Sequence, residues 1–129
     1  MFFETIHHIA IICHDEQKAR QFYVEILGFE LFERHVRPDK GDIILNLRQG
    51  SLVLELFIKP TAPKRISGLP RGEASGLRHL AFKVADVKQV VAFLKTKGIE
   101  CEPIRYDDFN GKAMTFFRDP DDLPIEIHE

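Results

Sequence analysis

The sequence has few of the features that mark membrane, secreted or nucleic-acid-binding proteins. No apolar run approaches the ~20 residues that a helix needs to cross a bilayer, and the first residues lack the basic and apolar regions of a secretion signal. There is no basic block and the formal net charge is −2, so nothing indicates a nucleic acid or an anionic membrane as a partner. Cys13 and Cys101 lack the spacing of a disulfide framework. These absences predict a cytoplasmic protein.

The length and composition are those of one globular domain. A chain of 129 residues is long enough for one compact core and short for two independent ones. Hydrophobic residues make up 44% and charged residues 29%, which is ordinary for a folded protein. We therefore expect a single domain over residues 1–129.

A duplicated motif organises the chain. In residues 77–84, His79 alternates with apolar side chains, which places its imidazole on the face opposite to them in a strand. His8 occupies the same place in a near copy 71 positions earlier. The same offset relates Asp15 to Asp86, the predicted N-caps of two amphipathic helices. Two histidines at equivalent places in a duplicated unit indicate a shared role.

The order of predicted elements repeats as well. We predict an α+β protein with two tandem βαβββ modules, residues 1–58 and 77–129, that form a curved mixed sheet around a metal-binding cup. A segment rich in proline and glycine, residues 59–76, is the predicted linker. The predicted strands span residues 5–13, 29–36, 42–48, 51–58, 77–84, 99–105, 112–118 and 123–128, and the two helices end at Gly28 and Gly98.

Each module also supplies one glutamate in the middle of its fourth strand. Glu55 and Glu126 are again 71 positions apart, and a carboxylate flanked by hydrophobic residues is costly unless it is solvated, paired or bound to a metal. If the first and fourth strands of each module are neighbours, each histidine meets one glutamate. Two imidazoles and two carboxylates suit a divalent ion such as Ni, Co, Zn, Mn or Fe and leave places for substrate oxygens. The predicted ligands are His8, Glu55, His79 and Glu126.

Ordinary structural roles are the alternative for each of these residues. A single histidine on a sheet is more often a structural side chain than a ligand, and a single glutamate more often forms a salt bridge. Arg48, Arg78 and Arg105 are the candidate partners of the two glutamates. The common offset of all four positions favours the metal site.

Four sequence motifs resemble those of the vicinal oxygen chelate (VOC) superfamily, and within it the small bacterial glyoxalase I-like (lactoylglutathione lyase-like) proteins. They are HHIAII with a following helix that ends in ILGF, LVLELF, GLRHLAFKV, and FFRDPDDLPIEI. The resemblance covers nearly the whole chain and implies the glyoxalase/bleomycin resistance/dioxygenase fold. The family's metal positions fall on the same four residues, His8, Glu55, His79 and Glu126. The resemblance also implies a homodimer, with the modules paired within one chain or across two.

The implied activity is that of a metal-dependent lyase, or isomerase, acting on the hemithioacetal of a 2-oxoaldehyde and a thiol. A divalent ion that chelates the two vicinal oxygens stabilises the enediolate, while a glutamate moves the proton between the carbons. Glu126 is the first candidate for this catalytic base and Glu55 the second. Methylmalonyl-CoA epimerases usually carry glutamine at the position of Glu55, so a glutamate favours the glyoxalase-like branch.

Two positions depart from the glutathione contacts of bacterial glyoxalase I. Ile12 replaces an arginine and Lys59 replaces an asparagine, so the thiol is not determined. Lys59, Arg65 and Arg71 are alternative receivers for an anionic group.

The superfamily also offers other functions. Epimerases and thiol transferases of the fosfomycin-resistance type share the scaffold. Ring-cleaving dioxygenases use two histidines and one carboxylate, so a fourth ligand argues against them. Metal-free binding proteins of the bleomycin-resistance type lack the ligand set.

Overall fold

The computed structural model describes residues 1–66 and 72–129, and the chain divides into two compact units, Met1–Pro63 and Lys64–Glu129. Each unit has the βαβββ order and one four-stranded mixed sheet, so the predicted α+β class with two tandem modules is confirmed. Part of the predicted linker, residues 67–71 with Arg71, lies outside the described residues. No helix among the described residues is long and apolar enough to span a membrane.

The sheet of the first unit has the order β1-β4-β3-β2, with β1 parallel to β4 and the other neighbours antiparallel. The last three strands lie within one residue of their predicted limits. The first strand is shorter than predicted and starts one residue after His8. The strands are β1 (Ile9–Cys13), β2 (Glu30–Arg37), β3 (Asp42–Gln49) and β4 (Leu52–Ile58).

Strand alternation separates a buried face of this sheet from the face that carries Glu55. Leu54 and Leu56 on β4 are fully buried and lie opposite Leu47 and Leu45 on β3, which are fully buried too. Burial of each such side chain contributes about 1.5–3 kcal/mol. A slip of one residue would expose all of them, so the hydrophobic pattern fixes the register and directs Glu55 to the other face.

The helical segment of the first unit differs from the prediction. The Asp15 cap is confirmed, since its side chain accepts a hydrogen bond from the backbone N–H of Lys18 at 2.8 Å, and α1 spans Glu16–Arg20. A continuous α-helix up to Gly28 is wrong, because Gln21–Ile26 form a π-helical segment. The wider turns keep the predicted apolar residues Phe22 and Tyr23 buried, so the apolar spacing does not reveal the change.

An ion cluster around a buried carboxylate forms where β2 ends, β3 begins and β4 ends. Asp42 is only 4% exposed, and it accepts two hydrogen bonds from the Arg37 guanidinium, at 2.7 and 2.6 Å, and one from Lys59 Nζ at 2.7 Å. The bonds from Arg37, followed by the bond from Lys59, hold the pKa of Asp42 well below its usual range. Lys59, one of the candidate anion receivers, therefore has an internal carboxylate partner.

Because of this cluster, we expect the free energy of unfolding to fall at acidic pH. Because the folded-state pKa of Asp42 is depressed, its contribution is present above the usual aspartate pKa of 3.8 and is lost as the pH falls through and below that value. We expect Asp42→Asn to lower Tm at pH 7 and to flatten the decline of Tm below pH 4, measured by thermal unfolding. Asp108→Asn, at an exposed loop position, is the control. A variant curve parallel to that of the wild type would contradict the assignment.

The sheet of the second unit has the order β5-β8-β7-β6, with β5 parallel to β8. Its helix, α2 (Val87–Thr96), begins at the predicted cap Asp86, whose carboxylate accepts from the N–H of Gln89 at 3.0 Å. The buried residues Ile125 and Ile127 on β8 leave Glu126 on the opposite face. The strands are β5 (Leu80–Lys83), β6 (Arg105–Tyr106), β7 (Ala113–Arg118) and β8 (Pro124–His128).

The strand predicted over residues 99–105 is reduced to the two residues of β6. Pro103 has no N–H to donate to a sheet ladder. The segment before it is held instead by the N–H of Glu102, which donates to the carbonyl of Phe116 at 2.9 Å, and by the hydroxyl of Thr115, which donates to the carbonyl of Glu102 at 2.7 Å.

Candidate metal centre

The first predicted pair is in contact within the first unit. In the parallel pairing of β1 and β4, Ala10 lies opposite Glu55, and His8 precedes Ala10 by two residues and so shares its face. The Nε2 atom of His8 lies 2.6 Å from Oε2 of Glu55. The two side chains are 38% and 25% exposed, which leaves the pair accessible from solvent.

The second pair repeats this arrangement in the second unit. Ala81 lies opposite Glu126 in the parallel pairing of β5 and β8, and His79 immediately precedes β5. The Nε2 atom of His79 lies 2.9 Å from Oε2 of Glu126, with the side chains 24% and 10% exposed. The equivalent pairs therefore have equivalent geometry, and the second is the more buried.

The arginines considered as alternative partners of the two glutamates bind elsewhere. Arg48 Nε lies 2.9 Å from Glu30, Arg78 Nε lies 2.6 Å from Glu73, and Arg105 Nη2 lies 3.7 Å from Glu102. Among the ion pairs of the described residues, Glu55 and Glu126 are matched with the two histidines.

His7 and Asn46 were not identified from the sequence as parts of the site. The Nδ1 atoms of His7 and His8 are 2.8 Å apart, so His7 can fix the tautomer of His8 through the ring nitrogen that does not face Glu55. Asn46 lies opposite Glu55 on β3, and its Oδ1 is buried with no hydrogen-bond partner among the described residues. A lone neighbouring histidine and a mid-strand asparagine are too common to signal these contacts in a sequence.

The residues present fit a divalent ion. Each pair offers one imidazole nitrogen and one carboxylate oxygen, the donors that Zn²⁺, Ni²⁺ and similar ions accept. Two ligand atoms at ~2.1 Å from one ion and at right angles are about 3 Å apart, close to the separations of 2.6 and 2.9 Å. The unpartnered Asn46 oxygen beside Glu55 also indicates a group on this face that the protein itself does not supply.

His128, at the end of β8 and on the same face as Glu126, contacts the carboxylate of Asp107. A hydrogen bond to the backbone carbonyl of Glu129, followed by one to the Asp107 carboxylate, raises the pKa of His128. Its Nε2 lies 3.3 Å from Asp107 Oδ2. His128 is therefore half-buried and held in place rather than a freely exposed terminal residue.

The surface beside the first pair is apolar at Ile12. Ile12 is 53% exposed and lies opposite Phe57, on the same strand face as Ala10 and Glu55. Arg37 and Lys59 approach the Phe57 ring at 5.3 and 6.0 Å, but both are bound to Asp42. The first unit therefore presents an apolar surface beside its His–Glu pair.

Comparisons with known proteins agree with this architecture. A family model described as "Glyoxalase/Bleomycin resistance protein/Dioxygenase superfamily" matches residues 5–127. The crystal structure of a glyoxalase family protein from Enterococcus faecalis superposes with a TM-score of 0.92 and is 55% identical, covering 100% of both chains. The protein YwkD of Bacillus subtilis (strain 168) is 49% identical over 130 residues, which cover 100% of this chain and 99% of YwkD.

An enzyme also occurs among the relatives. The mitochondrial methylmalonyl-CoA epimerase of Homo sapiens is 30% identical over 95 residues, which cover 73% of this chain and 54% of the epimerase. The match over residues 5–127 and the βαβββ repeat together establish the family. The chain belongs to the glyoxalase/bleomycin resistance protein/dioxygenase superfamily.

Proposed function

We propose that this protein is a metal-dependent lyase, or isomerase, of the glyoxalase I type that acts on a hemithioacetal or a related substrate with vicinal oxygens. His8, Glu55, His79 and Glu126 together bind one divalent ion. The observation that carries the proposal is the repeated contact of a histidine with a glutamate, at 2.6 Å in one unit and 2.9 Å in the other. The two pairs meet either within one chain or across a homodimer.

The chemistry is the movement of a proton between adjacent carbons. When bound, the ion supplies Lewis-acid stabilisation of the negative charge that develops on the substrate oxygens. Glu126 accepts the proton from one carbon and returns it to the next. Its side chain is 10% exposed, against 25% for Glu55, so it is better shielded from exchange with water. Glu126 is therefore the proposed base and Glu55 the second candidate.

Phe116 supports this assignment. Its ring meets the His79 ring edge-on at 5.1 Å, and it lies opposite Glu126 in the β7–β8 pairing. A buried aromatic ring at this place restricts water beside the proposed base.

An epimerase is the second candidate function. The 30% identity to a methylmalonyl-CoA epimerase supports it, and this reaction also requires proton removal next to a carbonyl group. The glutamate at position 55, where those epimerases usually carry glutamine, favours the glyoxalase I type.

An assay of metal-loaded protein distinguishes these functions. We expect turnover of methylglyoxal with glutathione or another small thiol, loss of turnover after chelation, and recovery with Ni²⁺, Co²⁺, Zn²⁺, Mn²⁺ or Fe²⁺. The measurement is thioester formation, with chelated protein as the control. Epimerisation of a 2-methyl acyl thioester without methylglyoxal turnover would assign the second function. Failure to retain any of these ions would contradict both and favour a metal-free binding protein.

A further inference from the structure

The second unit contains a pocket that contributes neither a proposed metal ligand nor the proposed base. Its volume is about 310 Å³, at the lower end of the range for small-molecule sites. Its lining combines one buried aromatic ring, Phe116, with a majority of charged side chains. The charged residues that line it are Arg65, Arg78, Arg105, Arg118, Glu73 and Glu102.

Phe116 connects this pocket to the His79–Glu126 pair. One part of its ring contacts His79, and the Arg105 guanidinium lies over it at 5.3 Å from the centroid. Arg78 Nη1 also lies 3.3 Å from Nδ1 of His79. The pocket therefore adjoins the His79–Glu126 pair on the same face of the sheet.

The pocket has an excess of positive charge. Among the described residues that line it, four are arginines and two are glutamates. The short ion pair of this group is that of Arg78 with Glu73, at 2.6 Å. Within the part of the chain that the structure describes, Arg105 and Arg118 pair with Glu102 and Asp122 at 3.7 Å, and exposed pairs of this kind are weak. The Arg65 guanidinium donates to the backbone carbonyls of Leu77 and Arg78 at 2.9 and 3.2 Å, which are neutral acceptors and fix its position.

We propose that this pocket binds a doubly charged oxyanion group, a phosphate type or a dicarboxylate, at the end of the substrate remote from the reacting carbons. The inference rests on the proposed function for the identity of the substrate's reacting end. Guanidinium groups present paired N–H donors that match the oxygens of phosphate and carboxylate.

Direct binding tests the pocket apart from catalysis. Protein that has been chelated and desalted is titrated by calorimetry with inorganic pyrophosphate and, separately, with succinate. We expect saturable binding of at least one probe, and the preferred probe assigns the group as phosphate or dicarboxylate. The double variant Arg65→Gln/Arg105→Gln should weaken this binding by about tenfold or more. No saturable binding of either probe at millimolar concentration would overturn the proposal.

Control variants test whether the loss of binding is specific to the arginines of the pocket. Arg48→Gln removes an exposed arginine of the first unit that also lies over an aromatic ring, and it should leave binding unchanged. An equal loss in this control would mean non-specific charge attraction and would overturn the proposal. Arg65→Lys/Arg105→Lys keeps the charge without the paired donors and should bind between the wild type and the glutamine variant. In turnover, the glutamine variant should raise KM for an anionic thiol about tenfold with kcat unchanged.

The two proposals fail separately. If the wild-type protein binds neither probe but turns over a thiol adduct, the anion pocket alone is overturned. Probe binding by a protein that retains no metal and turns over no thiol adduct would overturn the proposed reaction alone.

Discussion

Glu126→Gln should sharply reduce turnover while the protein still retains its metal ion. Glutamine keeps the shape of the side chain and one oxygen that can bind a cation, but it cannot accept a proton as a carboxylate does. A positioned general base contributes about 10²- to 10⁴-fold to a rate, so we expect a loss of kcat in that range. The measurements are the initial rate with metal-loaded protein and the metal content of the same sample.

Two further glutamate variants make this result specific. Glu30→Gln changes an exposed glutamate on β2 that pairs with Arg48, and it should retain full activity. Glu55→Gln should reduce kcat less than Glu126→Gln, since Glu55 is more exposed. The opposite order would make Glu55 the base, and a wild-type rate for Glu126→Gln would exclude it from the proton transfer.

Removal of either histidine should sharply weaken metal binding. We expect one divalent ion per chain in the wild type, and His8→Ala or His79→Ala should lower the affinity by more than about 100-fold, because loss of an outer-shell partner alone costs 10–100-fold. The measurement is metal per chain by elemental analysis, together with competition against a coloured chelator.

His35→Ala provides a matched control. His35 also contacts a glutamate, with its Nε2 2.9 Å from Glu33 Oε2, but both residues lie on β2 and have no counterpart in the repeat. The control should bind metal like the wild type. Two ions per chain, each lost with one histidine, would mean that the pairs act as separate sites and would contradict a shared centre.

Mixed variants then decide how the two pairs meet. If one site combines His8 and Glu55 of one chain with His79 and Glu126 of a second, a heterodimer of His8→Ala and His79→Ala contains one intact site. Co-refolding the two inactive variants would then restore part of the activity. No restoration would mean that each chain builds its site from its own two pairs.

A monomer in sedimentation at micromolar concentration would contradict the expected homodimer.

Local chemistry made much of the fold predictable. Asp15 and Asp86 cap their helices as expected, because the short carboxylate and the free N–H groups lie within a few residues of each other. The burial of Leu54 and Leu56 on β4 was predictable too, because successive side chains of a strand point to opposite faces. The π-helical segment was not predictable from spacing, because it changes the local hydrogen-bond partner while the same apolar side chains stay buried. The shortened β6 was not predictable because the N–H of Glu102 bonds to a carbonyl that is distant in sequence.

The sequence by itself determined that a histidine and a glutamate recur 71 positions apart and, through period-two alternation, which face of its strand each glutamate occupies. Only the tertiary structure decided that these residues touch. The parallel pairing of β1 with β4 and of β5 with β8 brings together residues more than 40 positions apart, and this pairing depends on burying the opposite face of each sheet against the rest of its unit. The position of Asn46 beside Glu55 and the arginine pocket beside Phe116 arise from the same long-range packing.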